Sequence, residues 1–173
     1  EGEGTSVTMT GSGSAAALVE GNSSKVAGAV YVHGNAQMNV AGYTFTDNKA
    51  TDGRAGAMLV SSATASIGNT GFYGNTATSR GGALAANAGT VDIVSCEFGK
   101  EDAGNNAGTS GGAIYAAGAS KVTVTDTNIR YNTSGSTGGA VDAENEGTSV
   151  TMTGKDSAAA LVEGNSSKVA GAV

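Results

Sequence analysis

Carboxylates are the first side chains in this sequence that could do chemistry. Asp92 and Glu97 fall close together, Asp126 follows, and Asp142, Glu144 and Glu146 crowd into one short stretch. The last three could offer oxygens to calcium, which takes roughly six to eight such ligands. Paired carboxylates could also serve glycoside hydrolysis, for which spacing in sequence decides nothing. Against both stands a solvated acidic edge, because Glu1 and Glu3 partly mirror Glu144 and Glu146. His33 is the single histidine and no serine sits in a nucleophile elbow, so His33 reads as a surface or turn residue. Cys96 is alone, which excludes an internal disulfide framework and a cysteine-rich zinc site. No cations flank it, so it reads as a small buried or turn residue rather than a reactive thiol. With no Trp, a sugar-stacking platform would rest on Tyr31 and Tyr115, with Leu59 between them; ordinary surface packing is the alternative. No catalytic residue, metal ligand or cofactor is assigned.

The elements that would carry these groups follow from composition. Of 173 residues 29 are Gly, none is Pro, and aromatics are 5%, too few large side chains for a thick globular core. Gly has no three-residue period, which excludes collagen. No apolar run approaches the ~18 residues of a membrane span, so no membrane insertion is expected of this segment. Only 14% of residues are charged and apolar residues recur in order, which argues against disorder. A net charge of −6 disfavours nucleic acid and anionic membrane as partners. The chain begins at Glu1, with no signal peptide, and reads as a mature or excised piece.

Repeats set the architecture. A Gly-Ala-apolar motif recurs around Gly28, Gly56, Gly82, Gly112, Gly139 and Gly171, at spacings of 28, 26, 30, 27 and 32 residues. An apolar residue followed three places later by Asn precedes it: Val19/Asn22, Phe45/Asn48, Phe72/Asn75, Ile129/Asn132 and Val162/Asn165. The third rung keeps Phe98 but has no Asn at that spacing, and Gly99 to Gly108 reads as an enlarged turn. Period-two pairs complete each unit: Met38/Val40, Ala65/Ile67, Val91/Ile93, Val122/Val124 and Val150/Met152. Such alternation marks half-buried strands, and the Gly- and Asn-rich stretches between them supply positive-φ turns. Each unit, with two or three strands, cannot bury its own apolar face; stacking does so. The expectation is an all-β parallel β-helix, a single solenoid segment over 1–173, of about six coils of 26–32 residues and three faces. One interior column would hold Val30, Met58, Leu84, Ile114, Val141 and Val173, another Phe45, Phe72, Phe98 and Ile129. Asn22, Asn48, Asn75, Asn132 and Asn165 would form an amide ladder. Asn22, Asn132 and Asn165 also lie in Asn-x-Ser/Thr sequons, making them candidate glycosylation acceptors in a secreted eukaryotic protein.

A coarser repeat lies on top. Residues 1–30 and 144–173 match at 27 of 30 positions, differing at Gly2/Asn145, Ser12/Lys155 and Gly13/Asp156. The offset of 143 residues equals the sum of the five motif spacings. The chain therefore reads either as a window of a longer tandem array or as a subunit stacking head to tail. A contact of that kind which does not close builds an open filament. No polar cap is evident at either end, which favours continuation.

Gly81-Gly82-Ala83-Leu84, Gly111-Gly112-Ala113-Ile114 and Gly138-Gly139-Ala140-Val141, with Phe72-Tyr73-Gly74-Asn75, resemble the repeats of chlamydial polymorphic outer membrane proteins. The resemblance covers nearly the whole chain in degenerate form; other coils have Ala-Gly-Ala, or Ile or Val for Phe. It implies a right-handed parallel β-helix of the pectin-lyase-like kind, displayed on a cell surface and used in adhesion. Nothing matches that family's membrane-anchoring barrel. β-Helical enzymes cleave acidic polysaccharides with clustered carboxylates, but Asp92 would neighbour Thr123 and Ser66, so no carboxylate ladder forms. Thr8/Thr10, Thr123/Thr125 and Thr151/Thr153 resemble the flat threonine arrays of ice-binding solenoids. Asn39/Ala41, Ser66/Gly68 and Asp92/Val94 break that array, and β-propensity accounts for the threonines. The expected function is a non-enzymatic repeat unit of an extracellular or cell-surface filament or adhesin, whose partners are its own copies or adjoining repeats. A host surface or polysaccharide is a further candidate partner. The alternative is a polysaccharide-binding or polysaccharide-degrading module.

Overall fold

A computed structural model describes residues 4–11, 17–154 and 160–173. The alternating segments form strands as their pattern requires. In Gln37–Ala41 the side chains of Met38 and Val40 point inward and those of Gln37 and Asn39 outward, and Thr64–Gly68 and Lys121–Thr125 repeat this. All strand pairing is parallel and in register, each strand bonding to its counterpart one coil away. The first sheet holds Ser6–Thr10, Gln37–Ala41, Thr64–Gly68, Thr90–Val94, Lys121–Thr125 and Ser149–Thr153. The second holds Ala17–Glu20, Tyr43–Thr46, Gly71–Tyr73, Glu97–Phe98, Asn128–Arg130 and Val162–Glu163. A third is built from two-residue strands such as Lys49–Ala50 and Thr76–Ala77, and a fourth from Val30–His33, Met58–Ser61, Leu84–Asn87, Ile114–Ala117 and Val141–Ala143. The chain is thus a parallel β-solenoid of about five turns. Two sequence expectations need correcting. The count of six coils included a last one with only two strands, Ser149–Thr153 and Val162–Glu163, and each full coil has four strands rather than two or three.

Burial follows the columns. Phe45, Phe72 and Phe98 are fully buried and their rings stack face to face, 5.1 and 4.5 Å between centroids, with Ile129 continuing the column. Met58, Leu84, Ile114 and Val141 are fully buried and paired strand to strand. Val30 is partly buried and pairs with Met58. Val173 was expected inside this column. Its neighbour Ala172 accepts the Val141 N–H at 2.8 Å, so the chain keeps register, but Val173 itself is 68% exposed. Each large side chain removed from water contributes about 1.5–3 kcal/mol, and only stacking achieves this.

The paired glycines have two different duties. The first, as at Gly81 (φ 66°), turns the chain through the left-handed region. The second has no such φ. A Cβ at Gly82 would fall on the Gly112 carbonyl oxygen, and the same clash recurs from Gly28 to Gly139, each against the next coil's glycine. Close backbone approach, rather than turning, dictates that residue. The stretch before it lies against the outer face of the fourth sheet, where a Cβ at Gly111 would meet the Ile114 carbonyl and Tyr115 Cα. Ala27, Ala55, Leu59, Ala85, Tyr115 and Ala117 form a small second core there.

Candidate functional site

The feature repeated most strictly is the amide ladder at the corner between the second and third sheets. Nδ2 of Asn22 donates to Asn48 Oδ1 at 2.9 Å, Asn48 to Asn75 at 3.0 Å, and Asn132 to Asn165 at 2.9 Å. The backbone N–H of each donates to the same oxygen. Nδ2 also reaches back one coil: Asn48 to the Val19 carbonyl at 2.8 Å, Asn75 to Phe45 at 2.9 Å. Each interior side chain of the ladder, such as Asn48 and Asn75, therefore ties three successive coils.

The third rung has its own member, which sequence spacing missed. Asn75 donates to Asn105 Oδ1 at 2.9 Å, and Asn105 to Asn132 Oδ1 at 2.9 Å. Residues 100–103 turn outward between Gly99 and Gly104, which both pack on the following coil, so Asn105 lies seven positions after Phe98 where Asn75 lies three after Phe72. Counting backward from the glycine would have found it, since Asn75 to Gly82, Asn105 to Gly112 and Asn132 to Gly139 are all seven.

Burial separates the three sequons. Asn132 is fully buried, with Nδ2 bonded to Phe98 O, Arg130 O and Asn165 Oδ1, and offers no accessible amide in the folded chain. Asn22 is exposed and Asn165 half-buried, and both spend Nδ2 within the fold, Asn22 on Glu20 O and Asn48 Oδ1, Asn165 on Ile129 O.

The carboxylates scatter over the outer faces. Glu97 accepts from the Tyr73 hydroxyl at 2.6 Å and pairs with Arg130, which also lies 3.8 Å from Glu163. Burial and the bond to Glu97 push the Tyr73 phenol well above its usual range, so it is no base. A polar groove of about 450 Å³ opens beside this trio, lined by Tyr43, Tyr73, Glu97, Asp126 and Asn128. Glu144 was read as a solvated edge; instead it accepts from Tyr115 at 2.8 Å and pairs with Arg80 at 3.4 Å. Asp142 accepts from Thr137 at 2.6 Å. Among the described residues no three such side chains are grouped to hold a metal. Glu1 and Glu3 lie outside the described residues.

Tyr31 and Tyr115 do not make a platform. Tyr31 is half exposed and stacks on His33 at 4.6 Å. Tyr115 is fully buried beneath Arg80 and Arg54, with the Gly111 backbone packed close to its Cα, and Leu59 and Ala85 both lie between it and Tyr31 in the sheet. Cys96 is buried at the corner before Phe98, and desolvation pushes its thiol up to about 11. Asp92 pairs in register with Ser66 and Thr123.

The two end faces are the remaining distinctive surfaces. A cavity of about 380 Å³ opens at one end, lined by Val7, Met9, Val30, Val32 and Met38. Val7, Leu18 and Val26 are exposed on that coil, and Met152, Leu161, Val162, Val169 and Val173 on the coil at the other end. Among described residues there is no helix, and so none long and apolar enough to cross a membrane. Comparison of the chain with family models, with curated proteins and with solved structures finds no match.

Proposed function

We propose that this chain is a structural repeat unit of an extracellular or cell-surface β-solenoid filament or adhesin, which continues end to end by coil stacking. One observation carries the reading. Coil 1–30 packs on the coil that follows it, through Ser6–Thr10 against Gln37–Ala41. Its near-identical counterpart 144–173 packs on the coil that precedes it, through Ser149–Thr153 against Lys121–Thr125. The five coil–coil interfaces of the 143-residue unit therefore close into a cycle, and a longer array needs no sixth kind. The work done is mechanical: ladder hydrogen bonds, stacked Phe rings and buried aliphatic columns give reach and stiffness. The resemblance to chlamydial polymorphic outer membrane protein repeats supports surface display.

Electron microscopy of the native material tests this. Continuous rods with an axial period of about 24 Å, five coils at ~4.8 Å, are expected. Discrete particles with capped ends would overturn it. The polar groove beside Tyr73 and Glu97 favours, as a second reading, a polysaccharide-binding module. Titration with acidic and neutral oligosaccharides checks that reading, which saturable binding lost in Glu97→Gln would sustain.

A further inference from the structure

Where the third rung departs from the repeat, its departures meet on one flank. Insertions in a repeat protein collect on one face, often the binding one. Gly71 is a strand residue with no positive φ, and its counterparts in register are Thr44, Glu97 and Asn128. A Cβ there would lie 2.6 Å from Tyr73 Cε2 and 2.8 Å from its hydroxyl oxygen. The missing side chain therefore lets the Tyr73 ring lie down along the sheet. The hydroxyl donates to Glu97 Oε2 at 2.6 Å, and Glu97 is held in turn by Arg130. The ring is thus fixed by its strand at one end and by Glu97 at the other, which spares a ligand the cost of ordering it. The inserted turn 100–103 then sets an ammonium, Lys100 Nζ, 4.8 Å over the ring centroid.

We infer that this flank recognises a polysaccharide with free amino groups, a polymer of glucosamine-type units, whose ammonium displaces Lys100 from the Tyr73 ring while neighbouring sugars lie in the adjoining groove. The inference rests on the polysaccharide-binding reading and holds whether or not the coils continue into a filament. Three observations choose the charge of the sugar. The Tyr73 ring already carries an ammonium, so the site accepts a cation over an aromatic face. Glu97 and Glu163 share the one guanidinium of Arg130, which leaves that network negative, and Asp126 lines the same groove. Exposed Glu101 and Asp102 follow Lys100, and the whole chain carries −6, so a uronate polymer is repelled and a cationic one drawn in. Asn69, Ser95 and Asn128 along the groove offer amides and a hydroxyl to sugar hydroxyls. Lys100 is exposed and lies outside the strands, so it leaves the ring without breaking a sheet bond.

Calorimetric titration of the full chain with oligomers of glucosamine, N-acetylglucosamine and galacturonic acid tests it. The glucosamine oligomer should bind saturably and several-fold tighter than the other two. Lys100→Ala should tighten that binding several-fold, and Tyr73→Leu, which keeps apolar bulk and net charge but has no ring, should abolish it. If the acetylated or uronate oligomer binds as well or better, the amino-sugar inference is overturned and the polysaccharide reading stands. Glucosamine binding that survives Tyr73→Leu is adventitious attraction to an acidic protein and also overturns the inference. Should Tyr73→Leu fail to fold by circular dichroism, Lys100→Ala decides, and unchanged or weaker binding there overturns displacement. Binding of none of the three overturns both the inference and the reading beneath it.

Discussion

A single buried amide shows most plainly what holds this chain together. Asn75 donates to Phe45 O and Asn105 Oδ1 and accepts from both nitrogens of Asn48. Truncation leaves those buried partners unpaired, at about 1–3 kcal/mol each. Asn75→Ala should therefore lose about 3 kcal/mol or more, read as a fall in urea midpoint. Asn105→Ala should lose as much, although its spacing in sequence is irregular. Cys96 sets a pH dependence. Its folded thiol ionises near 11, above the unfolded value of about 8.5. The folded state then holds the proton that the unfolded state releases, so this contribution is present at neutral pH and lost as pH rises from about 9 toward 11. Tyr73, also raised, acts in the same direction. Urea midpoints measured from pH 7 to 11 should decline, and Cys96→Ala should flatten the part of that decline below pH 11.

At the scale of strands and corners, the glycine column decides packing. Gly82→Ala drives a Cβ into the Gly112 carbonyl and toward the Asn106 amide, both rigid backbone. It should cost about 3 kcal/mol. Gly154→Ala meets nothing closer than the Ala160 Cβ at 3.8 Å and should change stability by about 0.5 kcal/mol or less. Thermal melts of the two variants give the comparison. Phe72→Ala, which removes the middle ring of a three-ring stack, should cost about 3–5 kcal/mol. Much of this element scale was legible in sequence. Period-two pairs such as Val91/Ile93 fixed which side of each strand faces inward, and the recurring Phe and Gly fixed which residues share a column. What escaped had physical causes. Two-residue strands such as Thr76–Ala77 are too short to show a period. Asn105 hid because the loop before it lengthened while the spacing after it held. Tyr115 read as outward because alternation reports the side of the sheet, and it cannot report that Arg54 and Arg80 fold over that side.

For the molecule as a whole, stability runs along one axis. Each coil touches its neighbours only, so opening starts where a coil has a single neighbour. Amides of Gly71–Tyr73 and Thr90–Val94 should exchange with solvent at least about tenfold more slowly than those of Ser6–Thr10, by hydrogen-exchange mass spectrometry. The outward loop at residues 100–103 carries a separate consequence. It hangs from the rod by the Ala103 carbonyl, which accepts from Gly74 N–H at 3.0 Å, and by Lys100 resting over the Tyr73 ring at 4.8 Å. The amide ladder passes beneath it unbroken. Lengthening such a loop costs little, about 0.6 kcal/mol per doubling, so this site is a socket into which a peptide can be grafted without touching the rod. In an array of these units the sockets would recur once per period on the same flank, like pegs on a rail about 24 Å apart.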